Sequence, residues 1–69
     1  MEVAIRDDFI KLGQLLKLAG VVDDGVQAKF VIQDGQVKVN QETDLRRGRK
    51  VIPGDVVSYN GQDITVVSR

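Results

Sequence analysis

The chain has 69 residues, with ten Lys plus Arg, ten Asp plus Glu, and neither Cys nor His. That length allows one small domain, and the missing residue types exclude disulfides, Cys/His zinc sites, thiol nucleophiles and histidine acid–base chemistry. At 42% hydrophobic and 29% charged the composition predicts a globular fold, and no apolar run is long enough for a transmembrane span or a signal peptide, so the expected home is the cytoplasm, as a monomer or a module that docks on something larger.

In chain order, Glu2 to Arg6 alternate polar and apolar, with Val3 and Ile5 on one side; this pattern predicts a short strand. Asp7-Asp8 ends it. Leu12, Leu15, Leu16 and Ala19 then fall at i, i+3, i+4 and i+7, one apolar stripe of a first helix that stops at Gly20. Asp24 followed by Gln27 has the form of a capping box for a second helix. That helix runs to about Asp34, with Gly35 as its left-handed stop. Ala28, Val31 and Ile32 make its inner face. Phe30 and Val26 point elsewhere, and the N-terminal strand is expected to fold across them through Val3 and Ile5. The alternative leaves Phe30 exposed, as a partner patch or stacked on a base.

After Gly35 the period changes to two. Val37 and Val39 alternate with Lys38 and Asn40, which predicts a strand. Residues 41–50 are polar and charged and are expected to form a loop or irregular ribbon. Pro53-Gly54-Asp55 is a turn. Val56 to Tyr59 and Asp63 to Val67, joined by Asn60-Gly61, carry the strongest hairpin signal in the chain. The order β-α-α-β-loop-β-β is that of an α+β domain occupying residues 1–69, with residues 2–6 as an N-terminal strand extension.

Catalysis has little support. No Ser stands on a Gly-x-Ser-x-Gly elbow, and the glycines form no phosphate-binding loop. Asp7-Asp8 and Asp23-Asp24 read as turn and helix-start residues rather than metal ligands. No enzyme, cofactor or metal is expected. Charge distribution is more informative. Residues 1–35 hold four basic and six acidic side chains, a net of −2, and residues 36–69 hold six basic and four acidic, a net of +2. Arg46-Arg47-Gly48-Arg49-Lys50 packs four cations into five positions. Guanidinium groups match phosphate oxygens with a fork of donors. Three aromatics, Phe9, Phe30 and Tyr59, are too few for a single-strand stacking platform, so a nucleic-acid partner would be structured and read by backbone and shape.

The runs Lys11-Leu12-Gly13-Gln14-Leu15-Leu16-Lys17, Ala28-Lys29-Phe30-Val31-Ile32, Gly35-Gln36-Val37-Lys38-Val39-Asn40 and Pro53-Gly54-Asp55-Val56-Val57 resemble the αL RNA-binding motif. The stretch from Leu12 to Gly20, with Arg46 to Lys50, is closer still to its small stand-alone bacterial members, the YbcJ-like family. The resemblance covers about residues 9–67. It implies two helices packed on a small, mostly antiparallel sheet, with RNA held on a basic face. The positions it carries over are Lys11, Lys29, Lys38, Asn40, Arg46, Arg47, Arg49 and Lys50, with Lys29 and Lys38 extending the surface of the basic segment. The chain departs from the motif at Gly13, where Asp is typical, and at Gly25, where an Arg is usual. It departs again at Phe30, a basic position, and at Gln41, where Gly follows Asn. The loss of the Arg at 25 and of the cation at 30 weakens the helix side of the RNA face. The implied partner is structured RNA, ribosomal RNA or an assembly intermediate, with ribosomal or assembly proteins beside it and no membrane. The alternative is a protein-interaction adaptor on the same fold.

Overall fold

A computed structural model describes all of residues 1–69. Its elements are β1 (Glu2–Ile5), β2 (Ile10–Lys11), α1 (Leu12–Leu18), α2 (Gly25–Gln33), β3 (Val37–Val39), β4 (Glu42–Thr43), β5 (Lys50–Val51), β6 (Val56–Tyr59) and β7 (Gln62–Ser68). Five strands form one sheet in the order β1-β7-β6-β3-β4, and β2 pairs with β5 in a second, two-stranded sheet. All pairings are antiparallel except that of β1 with β7. The α+β reading holds.

The core is wholly apolar. Leu12, Leu15 and Leu16 of α1 and Ala28, Val31 and Ile32 of α2 join Val37, Val39, Val57, Ile64 and Val66 of the sheet in one cluster, and no polar residue is buried with them. Side chains alternate across a strand, so the helices cover one sheet face. Lys38, paired with Ser58 and Thr43, lies on the other.

The ends of α2 follow local chemistry. The Asp24 carboxylate accepts from the Gln27 N–H at 2.8 Å, and the Gln27 side chain accepts from the Asp23 N–H at 2.8 Å. This is a capping box whose return bond falls one residue early. Gly35, at φ 81°, follows the C-cap. In contrast, α1 has no side-chain cap. Its first N–H groups donate to carbonyls of the basic segment: Leu12 to Arg49 and Gly13 to Arg47, each at 2.9 Å. The segment therefore closes the start of α1.

Two expectations need correction. Residues 41–50, expected as a loop or irregular ribbon, hold all of β4 and the first residue of β5. The N-terminal strand does not cross α2. It pairs in parallel with β7 at the sheet edge, where the main-chain ladder holds it and Ile5 joins the core. Phe30 is left 65% exposed and Val26 79%.

Candidate nucleic-acid interface

An open cleft of about 270 Å³ lies between α1, the start of α2 and the basic segment. It is lined by Lys11, Gln14 and Lys17 from the α1 side, by Gly25 and Ala28 from α2, and by Arg47 and Gly48 across from them, with Gly13 at its floor. Three cations converge there, and no acidic side chain lines the cleft. None of the three forms an ion pair, since every ion pair in the molecule uses Arg46 or Arg49. Gly25 and Gly48 leave open space where a Cβ would stand, so a ligand backbone can approach closely.

The remaining basic residues are placed differently. Arg46 forks onto Asp44, with Nε donating to Oδ1 at 3.0 Å and Nη2 to Oδ2 at 2.9 Å, while its own N–H donates to Oδ1 at 3.0 Å. Arg49 Nε lies 2.8 Å from the same carboxylate, and its Nη1 lies 3.9 Å from Asp55. The hydrogen bond from the Arg46 side chain holds the Asp44 carboxyl below the usual carboxylate range, against the opposing effect of burial; the Arg46 N–H and the charges of Arg46 and Arg49 add to the lowering. The same bond raises Arg46 above its ordinary value. The Lys50 ammonium sits 4.7 Å from the centre of the Phe9 ring, a cation–π distance. A second, more open depression lined by Arg46, Gly48, Arg49 and Lys50 shares Gly48 with the cleft.

Of the eight positions carried over from the motif, Lys11 and Arg47 therefore meet in the cleft. Lys29 stands exposed on α2, one turn from Gly25, and is not among the residues that line the cleft. Lys38 faces away with the outer sheet face and does not extend this surface. Asn40 plays a structural part, since its Nδ2 donates to Asp55 at 2.9 Å and its Oδ1 accepts from the Val56 N–H at 2.9 Å. Sequence reasoning passed over Lys17. Its signal was the spacing Lys11, Gln14, Lys17 along one side of α1, opposite the buried leucines.

The S4 domain family matches residues 3–67. The chain is 48% identical over 59 residues to "Probable ribosome maturation protein RlbA" of Bacillus subtilis, covering 86% of this chain and 83% of that one. It is 41% identical over 59 residues to YbcJ of Escherichia coli, covering 86% and 84%. The solution structure of YbcJ, described as revealing an αL motif involved in RNA-binding, superposes with a TM-score of 0.67 at 36% identity, over 97% of this chain and 84% of that one. The likeness to the αL motif thus extends from sequence to fold. With a match spanning nearly its whole length, the chain belongs to the S4 domain family.

Proposed function

We propose that this chain binds structured RNA, with ribosomal RNA or a ribosome assembly intermediate as its target, through the cleft of Lys11, Lys17 and Arg47. The observation that carries the reading is the convergence of three unpaired cations on an acid-free cleft in a molecule of zero net charge. Such a site attracts phosphate locally without making the whole protein sticky. Lys29, one turn along α2 from Gly25, and Arg46 and Lys50 in the adjoining depression, flank the path a backbone would follow. Phosphate contacts of this kind position RNA without reading its sequence. The RNA-binding motif described for YbcJ and the ribosome maturation in the name of RlbA support the reading. Both favour an RNA-binding role over an enzymatic one. A ribosomal target carries with it action in the cytoplasm, and no helix is long and apolar enough to cross a membrane.

The test is ultraviolet crosslinking in cells followed by sequencing of the attached RNA. Enrichment of ribosomal RNA is expected. Recovery of only other RNA classes would contradict the ribosomal target, and recovery of none would contradict RNA binding. One observation favours a second reading, a protein contact: Val26 and Phe30 stand one turn apart on the outer side of α2, exposed and uncovered. In that case Phe30→Ser would abolish co-purification of the partner and leave RNA binding intact.

A further inference from the structure

The basic segment contains a puzzle. Asp44, an acidic residue with only 11% of its side chain exposed, stands at the head of the cationic run. In a phosphate-binding surface a carboxylate should repel the ligand. Yet this one receives Arg46 through two side-chain bonds and one main-chain bond, and Arg49 through an ion pair at 2.8 Å. Arg49 is drawn toward Asp55 on its other side, at 3.9 Å, where its Nη1 is buried and has no hydrogen-bond partner. Asp55 is itself held by Asn40 and by the Ile52 N–H at 3.0 Å. The chain of contacts therefore runs from the Pro53-Gly54-Asp55 turn, through Arg49 and Asp44, to Arg46. Between the two held arginines lies Arg47, the one arginine of the segment that lines the cleft. Its carbonyl and that of Arg49 accept from the start of α1.

We propose that Asp44 is a positioning residue for RNA: it holds Arg46 and Arg49 so that Arg47 is presented to the cleft, and so strengthens binding although its own charge opposes it. The proposal rests on the cleft reading above. It adds a prediction of opposite sign to simple electrostatics. If Asp44 were only a neutralising charge, Asp44→Asn would release two cations, tighten binding and steepen the salt dependence. If Asp44 positions Arg47, the same variant removes pre-organisation and weakens binding.

The experiment is a double-mutant cycle on the full chain, titrated against a fluorescein-labelled RNA three-way junction at several salt concentrations. The variants are Asp44→Asn, Arg47→Gln and both together. Asp44→Asn is expected to weaken binding about tenfold, the scale of one charge-assisted hydrogen bond, without a steeper salt slope. In the Arg47→Gln background it should cost nothing further, because the residue it positions is gone. Amide spectra should show shifts at Arg47, Gly48 and Gly13 with α2 and the β6–β7 hairpin unmoved. Equal or tighter binding by Asp44→Asn, with a steeper slope, overturns the proposal. So do losses that add in the double variant, which mark an effect of Asp44 that does not pass through Arg47. Absence of binding by the unsubstituted chain would overturn the cleft reading and the proposal together, whereas the other two results leave that reading standing.

Discussion

Asn40 and Asp55, fifteen residues apart, close on each other: the Asn40 Nδ2 donates to Asp55 Oδ1 at 2.9 Å, and the Asn40 Oδ1 accepts from the Val56 N–H at 2.9 Å. This pair ties the β3–β4 turn to the Pro53-Gly54 turn. Asn40→Ala should lower stability by about 1–2 kcal/mol, the cost of an N–H and a carboxylate losing their partner. Its RNA affinity should hold at temperatures where it is folded. Thermal melting together with RNA titration checks this. An unchanged melt with weakened binding would return Asn40 to the set of direct contacts.

Gln41 sits at φ 72°, next to Asn40 at φ 50°. Two positive φ angles in a two-residue hairpin loop are the pattern of a type I′ turn. The turn forms even though Gln replaces the expected Gly, and the strain of a side chain in the left-handed region remains. Gln41→Gly should stabilise the domain by about 0.5–1 kcal/mol, after the entropy that glycine adds to the unfolded chain. The melting temperature should rise by roughly 2–8 °C. A fall would mean that the Gln41 side chain makes a stabilising contact.

Asp44 makes stability depend on acid. Its folded carboxyl is held below the usual range by the Arg46 side chain first. The unfolded chain, near the ordinary value of about 3.9, therefore takes up its proton before the folded one. The contribution is fully present above that value and is lost as pH falls through the lowered folded one. The stability gap between the unsubstituted chain and Asp44→Asn should thus be constant from pH 7 to about 5 and shrink below about 4. Melting curves of both proteins across that range check it. A gap that stays constant to pH 2 would remove the ion pairs from the stability of the segment.

Gly25 stands at the first helical position of α2 and lines the cleft, with open space where a side chain would begin. Gly25→Arg should restore a cation to the helix side. We expect tighter RNA binding and a salt slope steeper by about 0.7–0.9, one phosphate contact. Stability should change little, because better helix propensity offsets a cation at a helix N-terminus. Unchanged affinity would show that RNA does not reach the α2 side of the cleft.

What the sequence disclosed was largely local. Asp24 and Gln27 are three residues apart and Gly35 ends the same helix, so both ends of α2 could be read. Asn60-Gly61 likewise announced the β6–β7 hairpin. The β2–β5 ladder was hidden because two-residue strands carry no period-2 pattern. The fate of Phe30 depended on where β1 docks, and its parallel pairing with β7 joins opposite ends of the chain. Residues in the basic segment looked equivalent, four cations in a row. They are distinguished by Asp44 and Asp55 and, for Lys50, by Phe9, contacts made only in the folded molecule.

The most direct test of the account is the salt dependence of RNA binding by the unsubstituted chain and by the triple variant Lys11→Gln, Lys17→Gln, Arg47→Gln. Three phosphate contacts give a slope of log K against log salt of about −2.1 to −2.7, a loss of roughly 20–40-fold between 50 and 200 mM salt. The triple variant, altered only at surface positions and so within about 0.5 kcal/mol per site in stability, should have a slope shallower by about 2.1 to 2.7. Lys38→Gln, on the far sheet face, should match the unsubstituted chain. A triple variant that keeps the full slope would contradict the assignment of RNA binding to this cleft.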